Sequence, residues 1–491
     1  MLFNTIDFAV FFPVVVMLYF SLPYRFRPHL LLAASCYFYM AFVPVYILIL
    51  GFTIVTDYFA GILIEGSAGS KRKWMLGLSI VANISVLAVF KYYNWAALSI
   101  NRIFQLMHTD TRLGMLSILL PIGLSFHTFQ AMSYTIEVYR GKQKAERSFL
   151  IYSLYVMFFP QLVAGPIERP QNVIYQFFEK HDFSYRNAAD GMKLIAWGLF
   201  KKMCVADNLS LTVEGVYKAP REYWGIPSLI ATILFAFEIY CDFSGYSDIA
   251  LGTAQVMGFR LMENFRRPYA ALSVTEFWGR WHISLSTWFR DYVYIPLGGN
   301  RVSKLRYYLN IFIVFMLSGI WHGAGLNFII WGALHGFYRV TGTASLQLRQ
   351  KLSGLTGLTA LPGLHRFINQ LQTFILVSFA WIFFRAASFT DAKRIATHLF
   401  SGWGKQIERL QNEPDSELWL IYGGAPVYSF WAGIGCLVLL ETVQAFKGEG
   451  SGRAWLAKQP KLFRWSAYYG LVLLLILFNQ QRVVNFIYFR F

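Results

Sequence analysis

The chain has 491 residues, 56% of them hydrophobic and only 14% charged, with a formal net charge of +18. A soluble domain carries about 25% charged residues, so a water-soluble globule of this length is excluded for want of polar surface. The basic balance does not indicate nucleic acid, because the positive residues form short clusters between apolar runs, which is a topology signal that also suits anionic lipid.

In chain order, Met1–Asp7 has no basic n-region and no small-residue cleavage site follows Phe8–Leu22, so this run is expected to stay as a first membrane helix. Arg25 and Arg27 separate it from Leu30–Ile64. Lys71, Arg72 and Lys73 precede Met75–Phe90, and Arg140, Lys142, Lys144 and Arg147 follow the fifth run. With these clusters on the cytoplasmic side, the N-terminus lies outside. Leu229–Tyr240, Leu309–Ile320 and Ala467–Phe478 are further apolar runs, and the whole pattern predicts about 11 or 12 spans plus short re-entrant or amphipathic helices. Gln171–Asn187, Lys405–Glu417 and Lys447–Lys461 read as loops or surface helices. No linker separates two folded domains. The expected architecture is one all-α membrane domain over residues 1–491, with a core at about 121–340 and C-terminal helices over 370–491. Cys36, Cys204, Cys241 and Cys436 are scattered without metal-ligand spacing and read as buried thiols; no metal site is expected.

From Pro121 to Arg339, polar residues and Gly/Pro breakers invade the apolar runs. Ionisable groups at membrane depth are costly and face a protein interior or a water-filled cavity, as does irregular backbone there. This stretch of the chain is therefore expected to surround a cavity.

Four stretches could carry chemistry. In the first, Ser318–Asn327, an apolar helix meets Trp321, His322, Gly323 and Gly325, and a second helix with Trp331 and His335 follows at once. Glycine on both sides lets another molecule approach the imidazole, and histidine exchanges protons near neutrality, so His322 is the leading catalytic candidate. The bland reading is a core histidine satisfied by a neighbour. In the second, Glu276–Tyr292, Arg280, His282, Arg290 and Asp291 stand beside Trp278, Trp281 and Trp288. This suits either an interfacial helix with Trp anchors or a segment that binds an anionic ligand.

The third stretch, Glu238–Asp248, brings Tyr240 and Asp242 to the end of an apolar run; structural pairing with Arg266 or Arg267 is favoured over metal binding. In the fourth, Pro121–Arg140 with Phe158–Pro170, His127 and Gln161 are polar groups in apolar surroundings that suit either a tunnel lining or a bridge between helices. Nothing matches a P-loop, a dinucleotide fingerprint or a nucleophile elbow.

Taken together, these segments resemble the membrane-bound O-acyltransferase (MBOAT) family, in its bacterial alginate O-acetylation branch. The matching blocks are Pro121–Arg140, Phe159–Pro170, Tyr240–Gly252, Glu263–Tyr269, Glu276–Arg301, Trp321–Gly336, Trp381–Ala386 and the terminal Phe486-Ile-Tyr-Phe. The resemblance implies a multi-helix body around a tunnel, a catalytic histidine at His322 and a second important one at His282. His335 falls on a further family histidine. Arg280, Trp281, Trp321, Asn327, Tyr240, Asp242, Gln161 and His127 are the expected substrate-binding positions. His127 departs from the alginate relative, which has an aromatic residue there, and this puts the substrate in question.

The implied activity takes acetyl from a cytoplasmic donor, acetyl-CoA, with no bound cofactor. It passes the group across the bacterial inner membrane, through a periplasmic acetyltransferase partner, to a polysaccharide acceptor, with the N-terminus periplasmic. The rival from another class is a multi-pass transporter or flippase for a polar or lipid-linked substrate. It rests on span number and buried polar groups, and the absence of an internal repeat weakens it.

Overall fold

The computed structural model describes residues 1–116, 121–163, 165–447, 452–479, 486 and 487. Tyr488 and Phe489 of the terminal block lie outside these. All regular structure among the described residues is helical. The backbone satisfies its own polar groups within each helix, which is what a hydrocarbon environment demands. Among the described residues, five helices are long and apolar enough to cross a membrane by length and composition: Tyr46–Glu65, Gly69–Leu106, Ile226–Val256, Pro362–Arg385 and Val427–Phe446. The protein is thus an all-α, multi-pass membrane protein. Other apolar runs fall short of this measure because they are brief or have charged ends. The 16-residue Ile6–Ser21 is an example of the first, and Lys304–His322, which opens on Lys304 and Arg306, of the second.

The described residues form two compact units, Met1–Gly198 with Tyr246–Glu263, and Leu199–Gly245 with Asn264–Phe491. In the first unit lie α1 (Ile6–Ser21), α2 (Arg27–Met40), α3 (Tyr46–Glu65), α4 (Gly69–Leu106), α5 (Leu124–Tyr139) and α6 (Phe149–Met157). Its irregular segments are fastened by side chains. Glu168 accepts from the Met262 amide at 2.5 Å, and the Gln176 amide group both accepts from the Arg260 N–H (2.8 Å) and donates to the Arg260 carbonyl (2.9 Å). Such bonds satisfy backbone groups that irregular chain leaves unpaired.

In the second unit a π-helical turn, Phe200–Ala206, runs into α7 (Asp207–Lys218), and α8 (Ile226–Val256) contributes its portion up to Gly245. After these come α9 (Val274–Arg280), α10 (Ile283–Phe289), α11 (Lys304–His322), α12 (Leu326–Ala344), α13 (Pro362–Arg385), α14 (Val427–Lys447) and α15 (Lys461–Leu477). A fully buried cation organises part of this unit. Lys202 on the π turn lies 2.7 Å from both Asp207 and Asp242. Asp242 also accepts from the Ile487 amide at 2.7 Å.

Helices α11 and α12 pack at contact distance of their backbones. A Cβ at Gly319 would collide with the Phe328 carbonyl, and one at Gly332 with the Phe315 carbonyl. Small residues permit this approach, which the packing of membrane helices exploits. Gly332→Val should therefore wedge the pair apart at a cost of about 1–3 kcal/mol. The expected result is a lowered unfolding temperature in detergent, with Gly342→Val, which meets open space, as the unaffected control.

Candidate active site

The site in the second unit is built where α11 stops. His322 is the last residue of that helix, and Gly323 breaks it in extended conformation before Gly325 starts α12. The glycines serve packing here. A Cβ at Gly323 would strike the Phe328 ring, and one at Gly325 the Asn327 side chain. Asn327 then donates to the carbonyls of Phe383 (3.2 Å) and Ala386 (3.1 Å) at the end of α13. Helix ends leave carbonyls unpaired, so this tie joins the start of α12 to the end of α13. It holds Phe384 against the imidazole, with ring centroids 5.0 Å apart.

His322 is flanked as well by Trp321 at 4.7 Å and Trp331 at 5.0 Å. Trp331 in turn lies 4.9 Å from His335 and 5.9 Å from Trp381. Three histidines in this unit are buried to different degrees: His282 and His335 at 0%, His322 at 3%. His322 is the one that keeps accessible surface, next to Trp321 at 6% and Asn327 at 4%.

His335 accepts at Nδ1 from the Trp278 indole N–H at 3.2 Å, which places its ring proton on Nε2. Trp278 was not a sequence candidate. It is carried by α9, whose start is fixed by Ser273, accepting from the Glu276 amide (3.1 Å), while Glu276 reaches back to the Leu272 amide (2.8 Å).

His282 sits between α9 and α10 with φ of +43°, a left-handed conformation that costs a non-glycine residue about 1–3 kcal/mol. Asn264 holds it there. The Asn264 side-chain oxygen accepts from the Ser284 amide (3.2 Å) and the Ser284 hydroxyl (3.0 Å), and faces His282 Nδ1 at 3.1 Å. An oxygen that accepts from a backbone N–H cannot be a donor, so Nδ1 carries the proton and Nε2 presents a lone pair. Burial also pushes the His282 pKa down, to about 3, which keeps the ring neutral. The Phe243 edge at 4.7 Å completes its cage. Asn264→Leu should strand Nδ1 and the Ser284 donors, costing about 1–3 kcal/mol in thermal unfolding.

An aromatic chain links the two sectors: Trp381 lies 5.1 Å from Trp281, and Trp281 lies 5.1 Å from Phe265, which stacks 6.4 Å from His282. Tyr240 lies 6.4 Å from Trp281, and its hydroxyl accepts from Gln444 at 3.3 Å.

Two expected binding residues make ion pairs within the protein. Arg280 is paired within its own helix to Glu276 at 2.7 Å, so its charge is already compensated. Asp242 is paired as anticipated for a structural carboxylate, but its partner is Lys202 rather than Arg266 or Arg267.

Gln161 and His127 belong to the first unit. Gln161 donates to the Tyr155 carbonyl at 2.7 Å, as does Gln130 at 2.5 Å, which is the bridging role. His127 is buried on α5, and both of its ring nitrogens lack a hydrogen-bond partner among the described residues. Among the described residues, no three His, Cys, Asp or Glu side chains gather as a metal site.

Comparison with known proteins supplies what geometry alone does not. The sequence profile of MBOAT, the membrane-bound O-acyltransferase family, matches residues 74–384. The chain is 38% identical over 410 residues to the probable alginate O-acetylase AlgI of Pseudomonas aeruginosa, covering 82% of this chain and 75% of that protein. It is 34% identical over 447 residues to the peptidoglycan O-acetyltransferase of Helicobacter pylori, covering 84% and 82%. A more distant match, 29% over 229 residues, is to the teichoic acid D-alanyltransferase of Bacillus subtilis, covering 44% and 56%. With most of its helical body matched in this way, the chain belongs to the membrane-bound O-acyltransferase family and is an O-acyltransferase.

Proposed function

We propose that this acyltransferase takes acetyl from cytoplasmic acetyl-CoA and passes it across a bacterial inner membrane. The acetyl would O-acetylate an exported or cell-wall polysaccharide such as alginate, with a periplasmic partner enzyme completing the transfer. The relatives named for alginate and peptidoglycan acetylation support acetyl as the group and a glycan as the destination. The basic clusters at Arg25–Arg27 and Lys71–Lys73 support a periplasmic N-terminus.

The observation that carries the reading is the placement of His322, at a break between two helices and with residual accessible surface beside Trp321. In the proposed step His322 removes the proton of the acceptor hydroxyl as its oxygen attacks the thioester carbonyl. The C–S bond breaks, CoA leaves as the thiolate, and the proton held on His322 passes to it. The C-terminal end of α11 bears partial negative charge, which stabilises the imidazolium formed on the way. His282, fixed as the neutral Nδ1–H tautomer by Asn264 and fully buried, would act as a positioning residue behind the site.

The experiment is acetyl transfer in sealed inverted vesicles carrying the full chain and supplied with labelled acetyl-CoA outside. The reading expects CoA release coupled to label appearing on acceptor in the lumen. Movement of an intact polar substrate without thioester cleavage would favour the transporter reading instead.

A further inference from the structure

A buried carboxylate in the first unit has no part in the proposed chemistry. Asp57 lies near the middle of the apolar span α3 and is completely buried. Ionisable groups at such depth are expensive and are kept when they bind something or pair with a charge. No Lys, Arg or His pairs with Asp57 among the described residues. Its neighbours are all neutral oxygens and an amide. The Ser79 hydroxyl, from α4, lies 2.6 Å from Asp57 Oδ1, and the Asn83 amide nitrogen donates to Oδ2 at 2.8 Å. The Thr135 hydroxyl, from α5, lies 3.0 Å from Ser79 Oγ.

Two deficits meet at this point. One is a fully buried carboxyl group with no basic side chain paired to it among the described residues. The other is Asn83 Oδ1, fully buried with no hydrogen-bond partner, although the same amide's nitrogen is committed to Asp57 and to the Ser79 carbonyl (3.0 Å). That double commitment fixes the amide orientation, so the idle atom is an acceptor. Ser79 Oγ has one hydrogen but two oxygen neighbours, which leaves lone pairs available there as well.

We infer that Asp57, Ser79, Asn83 and Thr135 form a binding site for a small monovalent cation, Na+ by preference. One cation satisfies both deficits together. The donors are all oxygens, which suits a hard ion, and the single carboxylate balances one positive charge rather than two. Packing of the four side chains against one another at 2.6–3.0 Å leaves space for a small ion at most, which favours Na+ over the larger K+. The three helices that contribute ligands would be clamped by the ion. This site is independent of the acyl-transfer reading, because it uses none of the residues placed around His322.

The test is equilibrium binding of 22Na+ to the purified full chain in detergent at pH 8. One saturable site per chain is expected, competed by unlabelled Na+, at least about tenfold less well by K+, and not by choline. Asp57→Asn should abolish the binding, and Ser79→Ala and Asn83→Ala should each weaken it about tenfold. If Asp57→Asn does not fold, the two alanine variants decide the matter. The inference is overturned if the folded wild-type chain binds no 22Na+ at pH 8, which would mark Asp57 as a protonated hydrogen-bonding acid. It is equally overturned if binding persists unchanged in the Asp57, Ser79 and Asn83 variants.

Discussion

Replacing His322 by alanine is expected to slow acetyl transfer by about 10²–10⁴-fold, the range that general acid–base help supplies. The protein should still be made, inserted and folded. The imidazole touches Trp321, Trp331 and Phe384, so removing it also opens a small space among rings. His322→Gln separates the two effects, since glutamine fills much of that space and forms hydrogen bonds but cannot take up a proton. Both variants should show the same loss of turnover, measured as CoA released from acetyl-CoA in membranes. Their unfolding temperatures should differ, with alanine the lower. If glutamine restores activity, the ring is acting as packing rather than as a base.

Lys202→Met is expected to produce the largest loss of stability. Lys202 is 1% exposed and lies between Asp207 and Asp242, which are as deeply buried. Removing the cation leaves two buried carboxylates without their counter-charge. Breaking a buried pair in this way costs about 3–5 kcal/mol. The effect reaches further along the chain, because Asp242 also holds the Ile487 amide and Phe486 packs 5.5 Å from Phe243, itself 4.7 Å from His282. Fluorescence-detected chromatography after heating should show the variant aggregating at markedly lower temperature. Adding Asp207→Asn and Asp242→Asn to Lys202→Met should recover much of the loss, since neutral groups replace all three charges. No recovery in the triple variant would mean that the triad is not an electrostatic unit.

The sequence made the membrane body legible through composition, because a chain with so few charges cannot dress a soluble surface. It also located the helix break at His322, since a Trp-His-Gly step between two apolar runs is a local signal. Features set by contacts across the chain were not legible. The glycines beside His322 promised access for a ligand, yet they accommodate Phe328 and Asn327, residues of the following helix whose fit only packing reveals. The sequence suggests ion pairing for Asp242 beside its expected place among the binding residues, but the partner Lys202 stands forty positions earlier, on a turn whose π-helical bonding no local pattern announces. Asn264 sits in a block that resembles the family, but its role depends on Ser284 and His282 folding back to it. The Asp57 cluster is not legible in the sequence because its members come from three helices and none is unusual alone. The number of spans was read from apolar runs. Among the described residues, length and composition single out five helices, because several runs end in charged residues or break early.

The most direct test of the account is a single-turnover experiment on the purified chain with acetyl-labelled acetyl-CoA and acceptor, comparing wild type with His322→Gln across pH. Wild type should release CoA in step with acceptor labelling, and the glutamine variant should bind acetyl-CoA with unchanged affinity yet do both about 10²–10⁴-fold more slowly at every pH. Full-rate release and labelling by the glutamine variant would contradict the account.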